Sequence, residues 1–401
     1  MTIRRVPDDF RVEEVLEDAW RPVAARPAGE AHAVYVLEKT QLTTQEAEAR
    51  LAKALGVRSG RVTHAGLKDK HAVTRQHVST KWDGEGEPPE SVEAPGVKAM
   101  FAGWLARELE AAAIAGNRFE IVVRDLSQQA AKEMQRRFGA LKRLAAAGGT
   151  ELVFVNYFGE QRFASVQPKA GFAGERLVRG DFEGALKLLI GTPARKDSGA
   201  RRTLTRAAAE HWGEWKRLLR ELPKGQWRGP VEKLAAGEDF REAFAALPYA
   251  EQMFAVEAYQ SWLWNRNAAA AASAAAGKKT LRTPTDFGEL VFPAAAEIPD
   301  AMMHATLALP GPEARYDGAL AKVAQATLAE VGVSLGALKI PGVRRPEFGT
   351  AMRPLVVAAS GVEFEGPAAD EMSRAGRVKV WARFTLPRGA YATVLLRALG
   401  Q

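Results

Sequence analysis

The chain has 401 residues, 47% hydrophobic and 26% charged, which excludes wholesale disorder and provides material for two or three domains. Its net charge of +8 favours a polyanionic partner, and the absence of cysteine excludes disulfides, thiol catalysis and every Cys-based zinc or iron–sulfur site. No apolar run approaches the ~18 residues of a membrane span, and Met1-Thr2-Ile3-Arg4-Arg5-Val6-Pro7 has no apolar signal core, so the expected compartment is the cytoplasm.

Asp8-Asp9-Phe10-Arg11-Val12-Glu13-Glu14-Val15 places an aromatic among acids and reads as an edge strand with a solvated acidic face. Thr43-Thr44-Gln45-Glu46 matches a capping box, in which the Thr43 hydroxyl and Glu46 carboxylate satisfy each other's backbone donors. Ala47, Leu51 and Leu55 then share a helical face that Gly56 ends. Arg61-Val62-Thr63 is a short strand signal, and Gly66 predicts a tight turn after it. Gly84-Glu85-Gly86-Glu87-Pro88-Pro89-Glu90 is an exposed loop. Gly116-Asn117-Arg118 reads as a turn before a strand in which Phe119, Ile121 and Val123 share a face. Met134, Phe138, Leu141 and Leu144 follow at helical spacing until Gly148-Gly149, and Glu151 to Val155 is another strand.

From about residue 160 to 340 the chain turns alanine-rich and helical, and it reads as a second module. Phe254, Ala258, Trp262 and Leu263 share a helical face, and the alanine run 268–276 ends at Gly277-Lys278-Lys279. Near the C-terminus, Val378, Val380, Ala382, Phe384 and Leu386 line one face of a strand, with Arg377, Lys379, Trp381 and Arg383 on the other. Pro387-Arg388-Gly389 then turns into a helix carrying Val394, Leu395 and Leu399. Both chain ends therefore read as sheet-rich α+β structure.

The densest polar cluster runs from His64 to His77, with Asp69 on a loop just after a strand end, among Lys68, Lys70 and Arg75. Neighbouring cations favour the ionised form that a nucleophile or base needs. A solvated surface turn has the same composition. A rival is a metal site from His64, Asp69, His71 and His77, although no pair has the i, i+4 helical spacing of a zinc motif. Asn156-Tyr157-Phe158-Gly159-Glu160-Gln161-Arg162-Phe163 interleaves aromatics, amides and a cation, as base-stacking surfaces do and as packed domain junctions also do. Arg195, Lys196, Arg201, Arg202, Arg206, Lys216, Arg217 and Arg220, with Trp212 and Trp215 among them, form a basic stretch suited to phosphate. A solvated helix face is the alternative there.

Taken in order, five of these blocks resemble the TruD-type pseudouridine synthases, which modify uridine 13 of tRNA. They are residues 7–14, 65–76 (Ala-Gly-Leu-Lys-Asp-Lys-His-Ala-Val-Thr-Arg-Gln), 116–119, 156–163 and 386–393, with a weaker sixth at 258–266. The resemblance implies a catalytic domain with a mixed, largely antiparallel sheet, built from 1–155 and 346–401, and an inserted α/β TruD-specific domain over 156–345. It also implies that Asp69 is the catalytic aspartate and that Phe10, Asn117 and Tyr391 line a uridine pocket beside Phe119. Relatives often carry Phe where this chain has Tyr391. Isomerisation breaks C1′–N1 and joins C5 to C1′; nothing is oxidised and no group is acquired, so no cofactor or metal is expected. The implied partner is tRNA, with no membrane and no obligatory protein partner. A pocket carboxylate needs a supporting cation, for which Arg4 and Arg5, just upstream of Phe10, are the candidates. The alternatives are a non-catalytic RNA-binding protein that retains the fold and a metal-dependent phosphoesterase using the histidine-rich loop.

Overall fold

The computed structural model describes residues 1–83, 86–146, 148–164, 166–194, 197, 199–222, 225, 227–276 and 279–401. Of the sequence expectations, Gly84-Glu85, Arg195-Lys196 and Gly277-Lys278 lie outside the described residues. Contacts divide the chain into two units, Met1–Phe154 with Val357–Gln401, and Val155–Val356. The sequence places these divisions at 155/156 and 345/346.

The first unit opens with β1 (Phe10–Leu16), β2 (His32–Thr40), α1 (Thr44–Leu55), β3 (Val62–His64) and β4 (Val73–Lys81). There follow β5 (Ser91–Ala94), β6 (Val97–Leu105), β7 (Ile114–Leu126), α2 (Gln128–Leu141), β8 (Lys142–Leu144) and β9 (Thr150–Val155). The capping box forms: Thr43 Oγ1 accepts from the Glu46 amide at 3.1 Å, and Glu46 accepts from the Thr43 amide at 2.7 Å. α2 ends at Leu141, earlier than its apolar spacing suggests, and Leu144 is exposed on β8. Its spacing continues the helix only on paper, because the backbone there already pairs with β9.

The second unit is mainly helical. It contains α3 (Ala173–Val178), α4 (Phe182–Ile190), α5 (Gly199–Glu210), α6 (Trp215–Glu221), α7 (Arg228–Ala235), α8 (Phe240–Ala245) and the long α9 (Tyr249–Ala275). Then come β10 (Thr280–Thr285), β11 (Gly288–Pro293), α10 (Asp300–Met303), β12 (Thr306–Ala308), α11 (Gly318–Glu330) and β13 (Met352–Pro354). Among the described residues, β10–β11 and β12–β13 are two-stranded antiparallel sheets. On α9, Ala258 and Leu263 are buried as their spacing predicts, but Phe254 is exposed. The expected single apolar face is therefore corrected: this helix is wrapped on several sides and its residue 254 is not one of them. The chain then closes the first unit with β14 (Val356–Ala369), β15 (Val378–Pro387) and α12 (Ala392–Ala398).

The main sheet has the order β5-β6-β2-β4-β1-β7-β15-β14-β9-β8, with β3 beside β4. β1 runs parallel to β4, whereas β1–β7, β7–β15, β14–β15, β2–β4, β2–β6 and β5–β6 are antiparallel. This mixed, mostly antiparallel sheet with helices is an α+β fold. β1 is thus central, not the expected edge strand. It can sit there because Phe10, Val12, Glu14 and Leu16 all turn inward and are buried. α1 lays Ala47 and Leu51 against Tyr35, Leu37, Val78 and Ala99 of the sheet. Each Leu so buried stabilises by about 2 kcal/mol relative to an exposed one.

Candidate functional site

Pleating decides which side chains meet. Residues opposite one another on paired strands share a face. Val12 lies opposite Phe119, which lies opposite Phe384; Glu14 lies opposite Asn117, and Phe10 opposite Ile121. In the parallel pair, Val12 stands beside Thr74. Phe10, Phe119 and Asn117 therefore project from one face of the first unit's sheet. Phe10 and Phe119 meet edge to face at 6.1 Å, and Phe119 packs on Phe384 at 5.5 Å.

Gly116-Asn117-Arg118 is not a turn but the interior of β7. Gly116 is required because a Cβ there would lie 2.2 Å from the Leu386 carbonyl oxygen. That close approach brings β15 hard against β7, and the Arg388 amide then donates to Ala115 O at 3.0 Å. Tyr391 follows three residues later as the cap of α12. Gly66, likewise, serves packing and not a left-handed turn: a Cβ would stand 2.9 Å from Ile114 Cδ1.

Asp69 is on the β3–β4 loop with its side chain 23% exposed. Its Oδ2 lies 2.8 Å from Arg4 Nη2, and its Oδ1 accepts from the His71 amide at 2.9 Å. The Arg4 guanidinium sits over the Phe10 ring at 4.2 Å, a cation–π contact. So Asp69, Arg4, Phe10 and Phe119 form one chain of contacts. The Arg4–Asp69 approach is an ion pair by distance, but its angles do not align a hydrogen bond, and Arg4 Nε and Nη2 remain buried donors without an acceptor. Asn117 Oδ1 is a buried acceptor without a donor. Unmet donors and acceptors on an aromatic floor suit a flat, polar heterocycle.

Arg5 points elsewhere, donating from Nη1 to Ser373 Oγ at 2.8 Å. Its amide and that of Val6 donate to Asp9 Oδ2 at 3.0 and 3.2 Å, while Asp9 Oδ1 accepts from Arg124 Nε at 2.7 Å. Arg124 also reaches Asp370 and Glu371 at 2.9 and 3.1 Å. This buried network pins the N-terminal segment that carries Arg4.

The three cations nearest Asp69 in sequence pair with other acids. Lys68 Nζ meets Glu14 at 2.6 Å, Lys70 meets Glu46 at 3.4 Å, and Arg75 meets Glu13 and Glu38 at 3.5 and 3.9 Å. Glu14 is fully buried. Burial pushes its carboxyl up, but the His77 hydrogen bond and the Lys68 charge outweigh that and leave it below the usual range. Lys39 was missed by the sequence reading. It is 1% exposed, and it donates to the main-chain oxygens of Leu42 and Asp69, both at 2.8 Å. The signal was available: Ala33, Tyr35, Leu37 and Lys39 form one alternating series on β2.

The histidine cluster does not converge. His64 pairs with Glu48, whose hydrogen bond raises the imidazole above its ordinary pKa, while His77 faces Glu14 and Asp69 faces Arg4. Among the described residues no three His, Asp or Glu side chains are grouped to hold a metal ion.

In the second unit, Asn156, Tyr157, Phe158 and Phe163 are buried, so this block packs a core and offers no base-stacking surface. The Tyr157 hydroxyl donates to Val291 O at 2.8 Å and accepts from the Val291 amide at 3.0 Å. Within the basic stretch, Arg201 pairs with Asp197 and Glu251, and Arg217 with Glu214 and Glu221, while Arg206, Lys216 and Arg220 are exposed. Among the described residues no helix is long and apolar enough to cross a membrane.

The family model described as tRNA pseudouridine synthase D (TruD) matches residues 1–399. Among curated proteins, tRNA pseudouridine synthase D of Geobacter metallireducens is 30% identical, over 99% of this chain and 94% of its own length. The Aquifex aeolicus protein of that name is 34% identical over 66% of this chain and 64% of its own. A solved structure from Methanosarcina mazei that carries the TruD name matches with a TM-score of 0.72 over 99% of this chain and 92% of that one, at 24% identity. That last likeness is one of fold.

Proposed function

The chain belongs to the TruD family of tRNA pseudouridine synthases, and from that premise we propose that it isomerises uridine to pseudouridine at position 13 of tRNA, in the cytoplasm, with Asp69 as its catalytic carboxylate. The observation that carries the assignment is the placement of Asp69 against Arg4, 2.8 Å apart, with Arg4 stacked on Phe10. The target uridine leaves its stack, and an aromatic floor of Phe10 and Phe119 offsets part of an unstacking cost of a few kcal/mol. Asn117 Oδ1 and the Arg4 donors, buried and without hydrogen-bond partners, would bond the edge of the uracil ring, and Tyr391 would complete the pocket lining as its motif implies.

Two groups hold the carboxylate in a fixed orientation: the Arg4 guanidinium on Oδ2 and the His71 main-chain N–H on Oδ1. Asp69 then either attacks covalently or removes the C2′ proton to give a glycal. In both routes the C1′–N1 bond breaks, the ring turns, C1′–C5 forms, the C5 proton leaves and N1 gains one; the bond to Asp69 is broken again in the first route, and the proton taken from C2′ is returned there in the second. Asp69→Asn tests the assignment on unmodified tRNA, with pseudouridine mapped by position and binding measured separately. Loss of pseudouridine at position 13 with binding intact is expected. Turnover by Asp69→Asn would remove Asp69 from the role, and an unmodified substrate with wild-type protein would leave an RNA-binding protein.

A further inference from the structure

We propose that Lys39 is a positioning residue for this reaction, its ammonium clamping the main chain of the Asp69 loop to the β2–α1 connection. The proposal rests on the reading of Asp69 given above.

Lysine is almost never fully buried unless paired, yet Lys39 is 1% exposed. Its partners are not carboxylates. Its three donors reach three main-chain oxygens: Leu42 at 2.8 Å, Asp69 at 2.8 Å and Lys68 at 3.4 Å. An ammonium is the side chain that offers three donors at one point. Other ties act one and three residues upstream: the Lys68 amide donates to Thr44 Oγ1 at 3.1 Å, and Gln76 Nε2 to Gly66 O at 3.2 Å. Lys39 reaches Asp69 itself. The residue is thus gripped at both ends, by Lys39 on its carbonyl and by Arg4 on its carboxylate. A misplacement of about 1 Å at a reacting group costs on the order of a hundredfold in rate.

Titration gives the clamp a signature. The charged groups facing Lys39 are Asp69 and Lys68 on the loop and Glu46 on α1. Burial, only partly opposed by Asp69 and Glu46, pushes its ammonium down to about 8. With the side chain still buried, deprotonation removes one of three donors and turns a lone pair toward a carbonyl, so the loop clamp holds below about pH 8 and loosens above it, even as relief of the buried charge favours the fold as a whole.

The test is kcat and KM on unmodified tRNA between about pH 6 and about pH 9.5 for wild type, Lys39→Met, Lys39→Arg and Asp69→Asn. Lys39→Met should lower kcat by about a hundredfold with KM within about threefold. Lys39→Arg, which keeps its charge throughout, should restore at least about a tenth of the wild-type kcat and lack the wild-type decline above about pH 8. Titrations of the RNA are common to both profiles. Near-wild-type kcat in Lys39→Met beside an inactive Asp69→Asn overturns the proposal, as do superimposed alkaline limbs. An active Asp69→Asn instead removes the underlying reading. Should Lys39→Met fail to fold, hydrogen exchange in wild type decides: amides 68–71, corrected for base catalysis, should lose protection above about pH 8 relative to β4. Constant relative protection overturns the clamp.

Discussion

Glu14 and Lys68 offer the sharpest test of what holds the first unit together. Glu14 is fully buried, Lys68 is 7% exposed, and their charged atoms are 2.6 Å apart. Glu14 also accepts from the His77 amide at 3.0 Å. Glu14→Gln keeps the volume and an acceptor for His77 but leaves the ammonium uncompensated. Breaking a buried pair in this way costs about 3–5 kcal/mol. Lys68→Met strands the carboxylate and should cost a similar amount. The double variant buries no charge, so it should lose only about 1–2 kcal/mol, less than either single change. Because two units can unfold separately, the readout should be hydrogen exchange of β1 and β4 amides. Each single variant should speed exchange by roughly two to four orders of magnitude, and the double by about one. A double variant whose loss equals the sum of the singles would refute the reasoning. The acid dependence has a definite sign: the Glu14 carboxyl is lowered in the fold, so its contribution is present above the ordinary value of 4.5 and is lost as pH falls through the lowered one. Glu14→Gln should flatten that limb.

Arg4→Ala should lower turnover by about ten- to a hundredfold with tRNA affinity mostly kept, whereas Arg5→Ala, whose side chain meets Ser373, should leave turnover nearly unchanged; kcat and filter binding separate the two. Gly116→Ala places a Cβ 2.2 Å from Leu386 O and should destabilise the β7–β15 pairing by more than about 2 kcal/mol, read by exchange of β15 amides. Asp9→Ala removes the 2.7 Å partner of Arg124 but leaves Asp370 and Glu371 to compensate its charge, so a loss of about 1.5–3 kcal/mol with a weakened Arg4 placement is expected in the same assay. Burial holds Lys39 at about 8 against 10.5 for the free side chain, so the unfolded chain binds more protons between those values and stability should rise with pH across them. Lys39→Met should lack that rise, by about 3 kcal/mol relative to wild type.

Some of this protein is written in local order along the chain. The Thr43–Glu46 cap, the α1 face of Ala47 and Leu51, and the alternation of β15 depend on neighbours a few residues away, and periodicity reports them directly. The blocks around Phe10, Asp69, Asn117 and Tyr391 were legible as motifs for the same reason. Their partners were legible only in part. Arg4 and Arg5 were both candidate cations for Asp69, and the choice between them is made by the fold: β1 is laid parallel beside β4, which brings Arg4 to the loop while Arg5 turns to Ser373. Glu14 looked like part of a solvated acidic edge until β7 and β4 enclosed β1. The aromatics near Tyr157 looked like a stacking surface until they were buried. Strand order is set by nonlocal burial, and ion pairing follows strand order, so which charges meet is a property of the folded sheet and not of spacing along the chain.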